Sequence, residues 1–100
     1  MTINVERDYE LVVLEITGRL DTTTAPNLDT VINELSEDTK ELILDMGGLE
    51  FISSAGIRVV LSAYKKMMSN QGIMRIIKAN DMVCDVFEMT GLLEMIEKND

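Results

Sequence analysis

Two adjacent serines, Ser53 and Ser54, stand where an apolar stretch gives way to a helical pattern. A hydroxyl in the first turn of a helix faces unpaired backbone N–H groups and the positive end of the helix dipole. Such a position can hold a phosphate in two ways, by binding one from a ligand or by carrying one covalently as phosphoserine. Taken alone, the pair is also typical of a plain helix cap, so its chemistry depends on the elements around it.

The serines lie inside the stretch Glu41–Met68, which has the pattern of a strand, a loop and a helix. The uninterrupted apolar run at residues 42–44 predicts a strand that is buried on both faces and has parallel neighbours. Gly47-Gly48 predicts a loop after this strand. Apolar residues with a period of 3.6 then predict a helix, which we expect to end with Gly72 in a left-handed conformation. The expected buried stripe of this helix is Ile57, Val60, Leu61, Tyr64, Met67 and Met68.

The chain before this stretch predicts a hairpin followed by a helix. Residues 3–17 have the composition of two strands, with a tight turn at Tyr9-Glu10. We expect Gly18 to leave the second strand, and Asp21 or one of Thr22–Thr24 to cap the next helix. The expected apolar face of that helix is Ala25, Leu28, Val31, Ile32 and Leu35.

The remaining residues predict one more strand and one more helix. Ile73–Ile77 is a short apolar strand, and Asn80 or Asp81 caps a helix that closes near Gly91. Residues 92–96 have the pattern of a short strand or a turn of helix. The predicted order is β-β-α-β-α-β-α-(β), which implies one α/β domain over residues 1–100 with three main helices. Its mixed sheet has four to five strands and is antiparallel at the N-terminal hairpin.

The composition argues against several classes of function. The chain has 18 acidic and 9 basic residues and a formal net charge of −9, whereas nucleic-acid binding requires a basic footprint. Anionic membrane surfaces are disfavoured for the same reason, and a basic protein partner or simple solubility fits better. No histidine is present, which removes the commonest general base and the usual zinc ligand. We therefore expect no nucleic acid, no membrane, no metal and no cofactor.

The motifs of common enzyme classes are absent from the sequence. A nucleophile elbow Gly-x-Ser-x-Gly would need glycine at position 52, where Ile52 stands. There is no Gly-x4-Gly-Lys-Ser/Thr loop, and no carboxylate cluster resembles a calcium loop or a two-metal site. The sequence therefore predicts a protein that is not an enzyme. Because it has no signal peptide and no apolar run long enough to span a bilayer, we expect it to be cytoplasmic.

The run LDMGGLEFISSAGIRVVL, residues 44–61, resembles the signature of STAS domains, and specifically of bacterial anti-anti-sigma factors, the anti-sigma factor antagonists. That signature has a buried strand ending in Asp, a short loop, Phe or Tyr, an apolar residue, Asp-Ser, a small residue, Gly, and Leu or Ile. Residues 18–21 (Gly-Arg-Leu-Asp), followed by Ala25-Pro26, resemble the family's approach to its first helix. Phe87 with Thr90-Gly91-Leu92 resembles the end of its third helix. The resemblance spans nearly the whole chain.

The resemblance implies a phosphorylation switch. In the family, the serine after the Asp is phosphorylated by the cognate anti-sigma factor, a serine kinase with a histidine-kinase-like ATPase fold. The unphosphorylated protein binds that kinase and releases a sigma factor, and a serine phosphatase resets the system. Aligned through Phe51 and Gly56, the phospho-acceptor is Ser54, with Ser53 as second choice. This sequence departs from the pattern in having Ser53 where the family commonly has Asp.

We expect a partner-binding surface around Ser54. Its expected residues are Asp21, Glu50, Ser53, Ala55, Gly56, Arg58, Val59 and Ala63. Small side chains after Ser54 would allow close approach of a partner. The flank at positions 55, 59 and 63, spaced i, i+4, i+8, suits either a partner's helix or a neighbouring helix of the same domain. Acidic residues near Ser54 would add like-charge repulsion to a phosphate there.

Two other functions remain open from the sequence. One is a STAS module that scaffolds a larger signalling assembly or acts in a non-sigma pathway. The other is a sensor in which the loop and the helix N-terminus bind a nucleotide or another anion. The absence of a phosphate-cradling loop and the whole-chain resemblance favour a covalent phosphate on Ser54. We expect the protein to act as a monomer.

Overall fold

Four strands form one mixed sheet in the computed structural model, which describes residues 1–91. The strands are β1 (Thr2–Asp8), β2 (Leu11–Leu20), β3 (Glu41–Ile52) and β4 (Ile73–Ile77). They lie side by side in this order, with β1 and β2 antiparallel and the β2–β3 and β3–β4 pairs parallel. The helices are α1 (Ala25–Asn33), α2 (Ser54–Ser69) and α3 (Asp81–Met89). The predicted class, element order and hairpin are confirmed, and the element predicted at 92–96 lies outside the described residues.

The central strand β3 is longer than the sequence predicts, because Gly47-Gly48 is part of the ladder and not a loop. Pairing with β2 continues from Gly48 opposite Thr17 to Ile52 opposite Leu20. The register shifts between Glu15 and Thr17, where β3 has one residue more than β2, and pairing resumes at Gly48. A Cβ on Gly48 would lie 3.0 Å from Thr17 Oγ1, so glycine fits this close approach. The strand β2 likewise runs past Gly18, whose φ is +99°, to Leu20.

The sheet is buried on one face only, which corrects the expectation for the apolar run in β3. Leu42 and Leu44 are fully buried, whereas Ile43 between them is half-buried. Ile43 lies beside Val13 and Arg75 in the ladder, on the face away from the core. The helices α1, α2 and α3 contribute to a single core cluster with the alternate residues of the strands. An apolar residue in the middle of a run need not be covered when only one face of a sheet carries helices.

The predicted apolar faces of the helices mostly pack into the core. Ala25, Leu28 and Ile32 of α1 are buried, and α2 buries Gly56, Ile57, Val60, Ala63 and Met67. Burial of each large aliphatic side chain contributes about 1.5–3 kcal/mol. Met68 was expected in the buried stripe of α2 but is 58% exposed, because it lies about 100° further round the helix than Met67.

The end of α2 differs from the expectation in which residue takes the left-handed conformation. Gln71, with φ +60°, does so, and Gly72 does not. Glycine is needed at position 72 for a different reason, since a Cβ there would collide with the backbone carbonyl of Lys40. Asn70, two residues before Gly72, is buried, and its side-chain amide donates at 3.1 Å to the carbonyls of Ser36 and Thr39. Together these contacts fix the end of α2 against the segment that leads into β3.

Candidate functional site

The carboxyl ends of β2 and β3 bring Asp21 and the serine pair together. Leu20 and Ile52 are neighbours in the parallel ladder, and the Ser53 backbone N–H donates to the Leu20 carbonyl at 2.9 Å. The residues that follow the two strands therefore leave the sheet at one edge, where α1 and α2 begin. This edge is the usual place for functional residues in open α/β sheets.

Ser53 is the N-cap of α2. Its backbone is extended, with φ −100° and ψ 176°, and its Oγ accepts a hydrogen bond from the Gly56 N–H at 3.4 Å. Its carbonyl accepts the N–H of Ile57 at 2.9 Å, the first bond of the helix. The side chain is half-buried. The Ser53 hydroxyl is therefore engaged in starting the helix.

Ser54 is the first residue of α2 and has a different environment. Its side chain is exposed, and across residues 1–91 its hydroxyl has no hydrogen-bond partner. The first turn of α2 contains no acidic residue, so the positive end of the helix dipole is not neutralised there. Of the two serines, Ser54 has the hydroxyl that a second molecule can reach.

Gly56 was expected to face a partner, but it faces the interior of the protein. A Cβ on Gly56 would lie 2.8 Å from Leu20 Cγ, 2.9 Å from Ile52 Cγ1 and 3.0 Å from the Leu20 carbonyl oxygen. The absent side chain lets the first turn of α2 approach the ends of β2 and β3 closely. Gly56 therefore sets the position of the helix start, and it is buried.

Asp21 organises the turn before α1. Its Oδ1 accepts the backbone N–H groups of Thr23 at 3.0 Å and Thr24 at 3.1 Å. The N–H of Thr24, followed by that of Thr23, stabilises the carboxylate and holds the pKa of Asp21 below its usual value of 3.8. Thr24 occupies the N-cap position but makes no side-chain cap bond. Of the capping residues that the sequence offered, Asp21 is the one whose side chain accepts the N–H groups leading into α1, while Thr24 Oγ1 accepts the Asp21 N–H at 2.9 Å.

Charged and aromatic residues extend the site along the end of the sheet. Arg19 lies with its Nε 3.8 Å from Asp21 Oδ2 and its guanidinium 4.3 Å from the centroid of the Phe51 ring. Glu50 is exposed on β3, beside Phe51. Sequence reasoning did not identify Arg19, because a cation–π contact between two strands depends on their register and leaves no local signal.

A groove of about 330 Å³ lies between the first turns of α1 and α2. It is lined by Thr22, Ala25, Pro26 and Asp29 on the α1 side, and by Ala55, Arg58, Val59 and Ser62 on the α2 side. The groove contains two of the three residues of the predicted flank. Ala63 is 1% exposed and belongs to the core, so the expectation that it contacts a partner is wrong. Each step of four residues moves about 40° round the helix, so the flank turns from the groove at positions 55 and 59 toward the core at position 63.

The matching between the two walls of the groove is a signal that sequence reasoning missed. Positions 22, 25, 26 and 29 have the spacing i, i+3, i+4, i+7, and so do positions 55, 58, 59 and 62. Positions 25, 26 and 29 lie on one face of α1, with Thr22 in the turn before it, and the second set is one face of α2. The two faces could have been paired once the parallel strands before the helices were recognised, because parallel neighbours start their helices at the same edge.

The model of the STAS domain family matches residues 2–99 of the chain. The chain belongs to the STAS domain family. Among curated proteins, it is 27% identical over 96 residues to the putative anti-sigma factor antagonist BtrV of Bordetella bronchiseptica, covering 95% of this chain and 83% of BtrV. It is 24% identical over 106 residues to the anti-sigma-B factor antagonist of Staphylococcus aureus, covering 100% and 95% of the two chains.

The fold of this STAS domain is similar to that of the anti-sigma factor antagonist SpoIIAA. The unphosphorylated form of SpoIIAA superposes with a TM-score of 0.83 and 21% identity, over 99% of this chain and 89% of SpoIIAA. The phosphorylated form of SpoIIAA from Bacillus superposes with a TM-score of 0.73 and 20% identity, over 99% and 92%. The resemblance expected from the motif is therefore confirmed at the level of family and fold.

Two further features of the described part of the STAS domain concern metals and membranes. Among residues 1–91, no three His, Cys, Asp or Glu side chains are grouped so as to hold a metal ion. No helix in the same range combines the length and the apolar character that a bilayer crossing requires. The site at the helix starts thus consists of hydroxyls, small apolar side chains and a few charges.

Proposed function

We propose that this STAS domain is an anti-sigma factor antagonist that binds an anti-sigma factor serine kinase in the cytoplasm and is switched off by phosphorylation of Ser54. The observation that carries the proposal is the exposed hydroxyl of Ser54 at the start of α2, which makes no hydrogen bond within the described part of the chain. The relatives named as anti-sigma factor antagonists, BtrV and the Staphylococcus aureus protein, support the same function.

The geometry of the serine pair supports Ser54 over Ser53 as the phospho-acceptor. A kinase transfers the γ-phosphoryl group of ATP to a serine Oγ, the bond to the ADP oxygen breaks, and the hydroxyl proton goes to a base of the kinase. The attacking oxygen must therefore reach into the kinase active site. Phosphorylating Ser53 would turn the Oγ that accepts the Gly56 N–H into a phosphate-ester oxygen, whereas the Ser54 hydroxyl has no bond within residues 1–91 to lose.

A phosphate on Ser54 changes binding more than it changes folding. It adds a charge of about −1.5 to −2 at a helix N-terminus, where negative charge is favoured, so α2 is expected to persist. The same dianion would lie at the centre of the proposed interface, at the same edge of the sheet as Asp21 and within an acidic chain. A penalty of about 2–4 kcal/mol would lower the affinity roughly 30- to 1000-fold, at 1.4 kcal/mol per decade. A serine phosphatase would reverse the switch.

Phosphate mapping tests the assignment. The protein is incubated with ATP and each candidate histidine-kinase-like serine kinase of its source genome, and the modified residue is identified by mass spectrometry. We expect one phosphate, on Ser54, which is lost in S54A and retained in the matched control S53A. Labelling of another residue while Ser54 remains unmodified would show that the assignment is wrong.

Binding measurements with the same kinase test the switch. S54A is expected to bind like the wild type, because a small exposed side chain is lost. S54D is expected to bind at least tenfold more weakly, because a charge enters the interface. Equal binding by the two variants would contradict the switch.

Adding the protein to a kinase–sigma factor complex tests whether its binding displaces the sigma factor. Release of the sigma factor is expected, and binding without release would instead indicate a scaffold in another pathway. Calorimetry tests the remaining alternative: heat of binding when a nucleotide is titrated into the isolated domain would indicate that the protein is a nucleotide sensor.

A further inference from the structure

Arg58 lies four residues after Ser54 on α2 and is exposed. Among residues 1–91 its guanidinium makes no hydrogen bond or ion pair. The neighbouring cationic side chains make other contacts. Arg19 contacts Asp21 and the Phe51 ring, and Lys66 Nζ donates to the Asn33 carbonyl at 3.1 Å. Arg58 is therefore a positive side chain one helical turn from the proposed phospho-acceptor, with nothing in the described structure to hold it elsewhere.

The spacing of the two side chains suits an ion pair along the helix. Residues at i and i+4 have Cβ atoms about 5–6 Å apart, a distance that a phosphate and a guanidinium together span. An anion placed N-terminal to its cation is the more favourable orientation of such a pair. The planar guanidinium can donate two parallel N–H groups to a phosphate. In the unphosphorylated protein, Arg58 makes no such pair with any residue of the described range 1–91.

We propose that Arg58 is a positioning residue that binds the phosphate of phospho-Ser54 within the same chain. The inference rests on the proposed function, because it assumes that Ser54 carries a phosphate. Arg58 also lines the groove between α1 and α2. Phosphorylation therefore changes this surface twice: it adds a dianion at the helix start, and it holds a cation of the groove along α2, where a partner can no longer pair with it freely.

The second ionisation of the phosphate reports the pair directly. Phosphoserine is incorporated at position 54 of the full chain during synthesis, so that no kinase is needed, and ³¹P NMR follows the phosphate from pH 4.5 to pH 8. Its second pKa is ordinarily about 6. A guanidinium beside the phosphate favours the dianion, so the pKa in the wild type should lie about 0.3–0.7 units below that in R58Q. This shift corresponds to about 0.4–1 kcal/mol at 1.36 kcal/mol per unit.

Matched variants separate a local pair from a general effect of charge. K65Q removes the same charge from the exposed side of the same helix, but 11 residues and about 16 Å from Ser54, beyond the Debye length of about 10 Å at 0.1 M salt. It should leave the pKa within about 0.1 unit of the wild type, and R58K should keep at least half of the shift. Raising the salt to 1 M should reduce the difference between wild type and R58Q.

Three results would overturn the inference: equal pKa values in wild type and R58Q, an equal rise in K65Q and R58Q, or complete loss of the shift in R58K. Each would mean that Arg58 does not hold the phosphate by charge. Arg58 is exposed, so R58Q is expected to fold, and ¹H–¹⁵N spectra check this. Because the phosphate is introduced without a kinase, the result is independent of whether any kinase modifies Ser54. Failure of the inference and failure of the proposed function are thereby distinguished.

Discussion

Replacing Ser53 with alanine should destabilise the protein, although Ser53 is neither in the core nor the proposed phospho-acceptor. The change removes the Oγ that accepts the Gly56 N–H at the start of α2. Loss of a serine N-cap costs about 0.5–2 kcal/mol. The observed bond is long, at 3.4 Å, so we expect the lower part of this range, about 0.5–1 kcal/mol. For a domain of this size that corresponds to a fall in Tm of about 2–8 °C.

Urea denaturation followed by circular dichroism measures this cost, with two neighbouring variants as controls. S54A should change the free energy of unfolding by less than about 0.5 kcal/mol, because the exposed Ser54 hydroxyl has no partner among the described residues 1–91. S53D should recover most of the loss, since aspartate caps as well as serine and its charge is favoured at a helix N-terminus. The capping argument would be refuted if S54A cost as much as S53A, or if S53D were no more stable than S53A.

Two further predictions concern stability. G72A should lower the free energy of unfolding by about 2 kcal/mol or more, because its Cβ meets the Lys40 carbonyl. Q71G should leave this free energy unchanged or raise it. Equal losses of stability in the two variants on chemical denaturation would contradict the argument. Because the folded pKa of Asp21 is lowered, its ionisation stabilises the fold above pH 3.8, and this contribution is lost as pH falls through the folded pKa. The stability difference between wild type and D21N should therefore be flat from pH 5 to 8 and change only in acid; a change near neutral pH would count against the argument.

The parts of the fold that could be predicted from the sequence are those with local causes. Helix periodicity, the hairpin turn at Tyr9 and the cap at Asn80, whose Oδ1 accepts the Val83 N–H at 2.8 Å, each depend on residues a few positions apart. The Gly47-Gly48 segment was misjudged because its conformation is set by pairing with β2, a strand about 30 residues earlier in the sequence.

The errors at the site have the same origin. Gly56 and Ala63 are small residues on a helix, and the sequence cannot tell which neighbour their small size accommodates. In the structure, Gly56 packs against Leu20 and Ile52, and Ala63 is in the core. The local part of the prediction, a helix start at the serine pair, is confirmed by the structure. Which side chains surround Ser54 depends on the crossing of α1 and α2, which no local pattern encodes.

The two serines have separate roles, helix capping and phosphate acceptance, that one hydroxyl cannot perform together. A cap oxygen must turn toward the N–H groups of its own helix, whereas a phospho-acceptor must present its oxygen to another protein. Ser53 meets the first demand, so the departure from the family's usual Asp leaves the architecture intact, because serine and aspartate are both strong N-caps. What changes is the charge. An aspartate at position 53 would repel a phosphate on the next residue, and serine does not, so under the proposed function the substitution favours the phosphorylated state of Ser54 and leaves the helix start unchanged.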